Sequence, residues 1–288
     1  MLKEKISIII AAYNEENHIK EVIDELQLFL RKNSIDAEII VVNDYSNDST
    51  ADILSKIHDI RVINHEHNKG YGGAIKTAAK NAQTNWLLWY DGDGQFDPND
   101  ITRFLERAEK YHMVVGKRQA SGVPFIRRPG KALLHFLANF LSEFKIPDLN
   151  CGYRIMKRDI FMKFITLLPN TFSISTTLML AIHKSDMDIY FLPINIRKRS
   201  GGKSSVKPKH AVKMFLLILR TILLFSPMRV FGPISILFGA GFIASLIYDI
   251  VQLNITDTTI LLFLISMLTF FFGLIAEQVA TIRREIVN

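Results

Sequence analysis

Residues 87–98 read LLWYDGDGQFDP. Leu87 to Tyr90 is an apolar run of strand length, and it passes directly into a segment carrying Asp91, Asp93, Gln95 and Asp97 between glycines. A solvated turn accounts for such a density of Gly and Asp, and so does a cation that holds the carboxylates together. Asp91, Asp93 and Gln95 alternate along an extended segment, and side chains two apart share a face. A carboxylate or two beside a neutral oxygen suits Mg2+ or Mn2+, with water and phosphate oxygens completing the shell. Asp97 either joins this set or makes a plain turn with Pro98, ahead of a helix capped by Asn99 or Asp100. An isolated Asp-x-Asp leaves both readings open.

Working outward, Ile6–Ala12 is short, continuous and β-branched, the pattern of a fully buried strand. A helical stripe runs through Ile19, Val22, Ile23, Leu26, Phe29 and Leu30. Ala37–Asn43 predicts a second strand, 49–57 a helix, Arg61–Asn64 a strand and 74–82 a helix. Strands follow at 86–90 and 113–115, with a helix over 101–111 between them. Such alternation predicts an α/β fold with a mostly parallel sheet covered by helices on both faces. Ligands in such sheets sit at the carboxyl ends of the strands. The clusters AAYNEE, NDYSNDST and YDGDGQFDP each follow a strand end. Further on, 128–144 has helical spacing, 190–196 reads as a strand, and 200–205 is a basic, glycine-containing loop.

The C-terminal part differs. Phe231 to Val251 contains one ionisable residue, Asp249, and Ile260 to Ala276 contains none. Each stretch is about the length that crosses a ~30 Å hydrocarbon layer, the second marginally so. Gly239, Gly241 and Gly273 fit close packing between membrane helices. Net charge over the 288 residues is +7, and residues 1–229 alone carry +9. Arg220 and Arg229 precede the first span, Arg283 and Arg284 follow the second, and the loop 252–259 has no Lys or Arg. The positive-inside rule therefore places both termini in the cytoplasm. Between 207 and 228, Lys207, Lys209, His210, Lys213 and Arg220 sit among apolar residues, the pattern of a helix lying in the membrane interface. Three parts follow from this: 1–206, an amphipathic juxtamembrane segment 207–229, and a two-span anchor 230–288. The N-terminal apolar run reads as a strand, being too short for a secretory leader. The single cysteine, Cys151, excludes an intrachain disulfide and fits a reducing compartment. No zinc-finger, RNP-like or basic-helix pattern points to nucleic acid.

Six motifs occur in order: AAYNEENHI, VVNDYSNDST, NKGYGGAIKTA, YDGDGQFDP, NCGYRIMKRD and RSGGKSS. As an ordered set they resemble glycosyltransferase family 2, specifically its polyprenyl-phosphate sugar transferases, over roughly residues 6–205. The two C-terminal spans are similar to those of bacterial members. The resemblance implies a GT-A fold and a nucleotide-sugar donor, with a UDP-sugar favoured. It implies inverting transfer to a polyprenyl phosphate at the cytoplasmic face of the inner membrane, with homo-oligomerisation left open. Tyr13, Glu15 and Asp44 would line the nucleotide pocket, and Asp91 would face the donor sugar or ribose. Asp93 and Gln95, with Asp91, would hold Mg2+ or Mn2+ against the diphosphate. Arg199 and Lys203 would close over that diphosphate, although a basic linker beside a membrane also simply binds anionic lipid. Arg118, Arg127, Arg128, Lys131 and Arg154 fall where the acceptor phosphate would bind. Asp91, Asp93 and Arg199 are the residues expected to carry the reaction.

The chain departs from the family pattern in the second motif. Asn43 and Tyr45 replace the usual Asp and Gly around Asp44, and Ala11 stands in place of Pro. Asp148 and Arg154 lie at the expected site edge, and a pairing between them is a structural alternative. His65 and His67 read as surface residues, and Cys151 as a turn residue rather than a nucleophile. Gly70-Tyr71-Gly72-Gly73 lacks the Gly-x-Gly-x-x-Gly spacing of a dinucleotide site. Two alternatives remain on sequence grounds: an alcohol acceptor, with Asp148 as general base, and a non-catalytic membrane scaffold with the same fold.

Overall fold

The computed structural model describes residues 2–118, 147–148, 151–197, 219, 223 and 226–287. Arg127, Arg128, Lys131, Arg199 and Lys203 lie outside them, as do the helix read over 128–144 and nearly all of the amphipathic segment.

The chain divides into two units, one of 1–125 with 146–205 and one of 126–145 with 206–288. The first is a seven-stranded sheet in the order β3-β2-β1-β4-β6-β5-β7. Its strands are β1 (Ile6–Ala12), β2 (Ala37–Asn43), β3 (Arg61–Asn64), β4 (Trp86–Trp89), β5 (Met113–Arg118), β6 (Arg154–Lys157) and β7 (Ile189–Ile194). Helices α1 (Ile19–Lys32), α2 (Thr50–Leu54), α3 (Tyr71–Asn81) and α4 (Asp100–Ala108) alternate with the first five strands. After β6 come α5 (Arg158–Phe164) and α6 (Ile174–His183).

β1 is central, parallel to β2 with Ile8 opposite Ile39, and parallel to β4 with Ile8 opposite Leu88. Buried on both faces, it needs apolar residues throughout, and Ile8, Ile9 and Ile10 have no exposed surface. α1 buries Ile19, Val22, Ile23, Leu26 and Leu30, the expected stripe. β6 runs antiparallel to both β4 and β5, so the sheet is mixed, as in a GT-A fold. Because β1, β2, β4 and β5 point the same way, Tyr13, Asp44, Asp91 and Arg118 arrive at one edge.

In the second unit, α7 (Met228–Gln252) and α8 (Asp257–Val287) form a hairpin. Hydroxyls of Ser235 and Ser266 each donate to the other's carbonyl, both at 3.0 Å, and tie the helices together midway. Gly273 packs where a Cβ would lie 2.8 Å from Phe231 Cβ, the close approach that small residues permit. Asp249 accepts from Thr256 N at 2.7 Å and from Thr259 Oγ1 at 2.6 Å, capping the first turn of α8. Each helix is long and apolar enough to cross a membrane, with mean hydropathies of 2.1 and 2.5 over the most apolar window. Ile236, Leu237, Ile247, Leu268 and Phe272 point outward and exposed, which suits hydrocarbon and not water.

Candidate active site

The carboxyl edge of the sheet opens into a cleft of about 500 Å3. Its wall takes Tyr13 and Glu15 from the end of β1, Asp44 from β2, Asp91, Asp93 and Gln95 from β4, and Arg118 from β5. Five of the six sequence motifs, from separate parts of the chain, thus contribute to one cavity, and RSGGKSS lies outside the described residues.

Asp44 is fixed from behind. Its carboxylate accepts from Lys69 N and Gly70 N, both at 2.8 Å, which holds the loop before α3. His65 Nδ1 lies 2.6 Å from Asp44 Oδ1, and His65 Nε2 lies 2.8 Å from Thr77 Oγ1. A carboxylate only accepts, so Nδ1 donates to it, and in a neutral ring Nε2 accepts from the threonine. His65 is therefore buried, not a surface residue: its polar neighbours in sequence hid a partner contributed by β2. His67 is exposed. His65→Leu removes both bonds and leaves the buried Asp44 carboxylate and the half-buried Thr77 hydroxyl each one bond short, an expected loss of about 1–3 kcal/mol in stability. Thermal unfolding checks this.

The departures around Asp44 now have a structural account. Asn43 donates to Asn64 Oδ1 at 2.9 Å, and its own Oδ1 accepts from Ser46 N at 3.1 Å. Its amide thus joins the ends of β2 and β3. Tyr45 adopts φ +63° with its side chain half exposed. A left-handed non-glycine residue costs about 1–2 kcal/mol, so this loop is held by its neighbours rather than by its own preference.

Asp91 accepts from the Tyr71 hydroxyl at 3.0 Å and packs against Gly152, where an added Cβ would lie 2.5 Å from its Oδ2. Burial first, and then the charge of Asp93, raise Asp91 from the ordinary 3.8 to about 6. Tyr71, Arg154 and Arg118 act the other way. Burial and Asp91 also hold the Tyr71 phenol well above its usual range, so it stays a donor. Asp93 accepts from Gln95 N at 3.1 Å. Asp97 accepts from Asn99 N at 2.9 Å and lies 3.4 Å from Arg197, so it serves the turn into α4 and does not line the cleft.

Among the described residues no three His, Cys, Asp or Glu side chains come together as a metal cage. Two carboxylates that repel each other, with an amide oxygen beside them, still match a cation that keeps most of its shell for water and phosphate. The donor set fits Mg2+ or Mn2+.

Two basic residues behave differently from each other. Arg118 faces the cleft, and its Nε and Nη2 bind Asp148 at 2.7 and 2.8 Å. Asp148 thus pairs with Arg118, not with Arg154. Arg154 is fully buried: Nη1 donates to Ser175 O at 3.1 Å, Nη2 to Cys151 O, and its guanidinium lies 4.8 Å over Trp89. It is part of the core behind Asp91 and does not reach a surface phosphate, contrary to expectation. Burial pushes the Cys151 thiol up to about 12, which leaves it protonated and unreactive. Tyr71 and Phe172 also line the cleft and belong to the site without a predicted role.

Residues 7–165 match the family described as glycosyl transferase family 2, more than half of the chain. The chain belongs to glycosyl transferase family 2. Residues 226–282 of this family 2 protein match a second description, the GtrB C-terminal hairpin, which coincides with α7 and α8. A UDP-N-acetylglucosamine--dolichyl-phosphate N-acetylglucosaminyltransferase of Methanococcus voltae is 29% identical over 55% of this chain and 71% of its own length. An undecaprenyl-phosphate 4-deoxy-4-formamido-L-arabinose transferase of Pseudomonas fluorescens is 26% identical over 86% of this chain and 74% of its own. The crystal structure of glucosyl-3-phosphoglycerate synthase from Mycobacterium tuberculosis, with Mn2+, UDP and glucosyl-3-phosphoglycerate, superposes with a TM-score of 0.59 at 18% identity. It covers 76% of this chain and 79% of that one, and at this identity the shared property is the GT-A fold.

Proposed function

We propose that this glycosyltransferase moves a sugar from a nucleotide-diphosphate donor, a UDP-sugar in the favoured reading, onto a polyprenyl phosphate at the cytoplasmic face of the membrane. The observation that carries the reading is the cleft itself: Asp44, Asp91, Asp93 and Arg118 share one cavity in a chain that also bears an apolar hairpin. The polyprenyl-phosphate acceptors named for its relatives supply the acceptor class. The loop between the helices lacks Lys and Arg, which favours both termini inside.

Tyr13, Glu15 and Asp44 take the nucleoside. Asp91, oriented by Tyr71, accepts a hydroxyl of the ribose or sugar. Asp93 and Gln95, with Asp91, would hold the divalent cation, which when bound neutralises charge on the leaving diphosphate. A phosphate oxygen of the acceptor attacks the anomeric carbon as the bond to the diphosphate oxygen breaks, and configuration inverts. The acceptor is already an anion, so the chain needs to supply position and positive charge rather than a strong base. Arg118 binds that anion; by sequence Arg127, Arg128 and Lys131 are further candidates for it, and Arg199 and Lys203 are candidates for the donor diphosphate.

Bidentate engagement of Asp148 by Arg118 disfavours Asp148 as a general base, and with it an alcohol acceptor. The deciding experiment supplies a panel of UDP-sugars with undecaprenyl phosphate, dolichyl phosphate or diacylglycerol in membranes. Sugar should appear on a polyprenyl phosphate, and sugar on diacylglycerol alone would refute the acceptor. Arg118→Ala should raise the KM for polyprenyl phosphate by about 10- to 100-fold, the weight of a charge-assisted contact, and leave the donor KM nearly unchanged. Paired saturation curves read it, and a defect confined to the donor curve would move Arg118 to the diphosphate.

A further inference from the structure

Phe172 is three-quarters exposed, yet it lines the cleft and stacks on Tyr71 with ring centroids 5.1 Å apart and planes 15° from parallel. An isolated exposed phenylalanine on a mobile tip requires no explanation. This one is held in place. Gly73 N donates to Asn170 O at 3.2 Å, and Lys76 Nζ donates to Asn170 Oδ1 at 2.9 Å and to Leu168 O. Thr171 and Ser173 share a hydroxyl bond of 2.6 Å on either side of Phe172. The loop packs so closely on the start of α3 that a Cβ on Gly70 would meet Asn170 O at 2.5 Å, and one on Gly72 would meet Pro169 O at 2.4 Å. Three glycines, a lysine and an asparagine thus fix the backbone that presents an apolar ring to a cavity otherwise rich in carboxylates.

We propose that Phe172, backed by Tyr71, is the stacking platform for the transferred sugar ring of the donor, and so a specificity-determining residue of this chain. Tyr71 joins the two parts of the argument: one face carries Phe172, and its hydroxyl holds Asp91. A pyranose offers a matching pair of features, a flat C–H face for an aromatic π-face and an edge of hydroxyls for a carboxylate. The nucleoside end lies at Asp44, whose carboxylate braces Lys69 and Gly70 on the chain just before Tyr71. No sequence motif marked Phe172, because its partner is about a hundred residues away in the chain.

The inference rests on the donor-sugar reading of the cleft. Its test measures Mn2+-supported binding of UDP and of the UDP-sugar that gives transfer, for wild type, Phe172→Ala and Phe172→Trp. Phe172→Ala should weaken the UDP-sugar by about 3- to 10-fold, a stacking contact's worth, and change UDP affinity by less than about 2-fold. Phe172→Trp should restore binding and shift the preference among UDP-glucose, UDP-N-acetylglucosamine and UDP-galactose. Thermal unfolding should be unchanged, since the ring is exposed. Equal loss for UDP and UDP-sugar would give the platform to the base, and a change confined to the polyprenyl phosphate KM would give it to the acceptor. Either result, or no change in any curve, overturns the proposal. Wild-type protein that binds UDP-sugar and UDP alike and transfers nothing would instead overturn the functional reading.

Discussion

Asp93→Ala should lower sugar transfer by roughly 100-fold or more, because under the proposed reading it removes a charged cation ligand and with it several kcal/mol of charge neutralisation on the leaving group. The fold should survive. Asp93 sits on the loop after β4, half-buried, and among the described residues it accepts one hydrogen bond, from Gln95 N at 3.1 Å. Losing that turn bond costs about 1 kcal/mol. The measurement pairs transfer rates at saturating donor with Mn2+ binding followed by paramagnetic resonance, and with thermal unfolding. Weak metal binding, slow transfer and a nearly unchanged melting temperature are expected together. Transfer that persists in the variant, or in wild type under excess EDTA, would remove the cation from the reaction. The same variant discriminates against a scaffold role, since a scaffold has no transfer to lose.

Much of this site was legible because its signals are local. A strand followed by a polar cluster is written in consecutive residues, and β1, β2 and β4 each carry one. Parallel strands then bring the three clusters to one edge without further information. The hairpin was equally legible, since helix length and an absence of charge are both one-dimensional properties.

What escaped was set by long-range pairing. β6 is four residues long, begins and ends with a basic residue, and carries no strand periodicity; its place between β4 and β5 is decided by tertiary contacts. Arg154 looked like a phosphate ligand because arginine is seldom buried. Here two main-chain carbonyls and the face of Trp89 receive it. Asp148 pairs with an arginine thirty residues earlier and not with its sequence neighbour. His65 hid its role in the same way, its partners being Asp44 and Thr77. In each case the residue type was right for a surface, and only a contact from another element shows otherwise.

Asp91→Asn should abolish transfer and yet stabilise the metal-free protein. Asp91 is the cleft carboxylate that burial and the neighbouring Asp93 raise to about 6. Between about pH 4 and 6 the native state therefore keeps a proton that the unfolded chain has already released. Stability falls as pH rises through that window, and above it the whole cost is in place. A shift of about two units corresponds to roughly 3 kcal/mol. Asp91 lines an open cleft and is only half-buried, so solvent screening reduces the realised cost to about 1–2 kcal/mol. Asparagine keeps the shape and still accepts from the Tyr71 hydroxyl, but carries no charge to desolvate or to oppose Asp93. In EDTA at pH 7 the variant should be more stable than wild type by about 1–2 kcal/mol, and at pH 4 the two should coincide. Adding Mn2+ should reverse the order at pH 7, because the cation stabilises wild type by mass action and finds a weaker site in the variant. Denaturant unfolding at the two pH values, with and without metal, reads all four states. A variant less stable than wild type at pH 7 in EDTA would show that the Asp91 charge is already compensated by Arg154 and Arg118. A more stable but inactive variant would identify Asp91 as a residue kept ionised for its ligand at the expense of the fold.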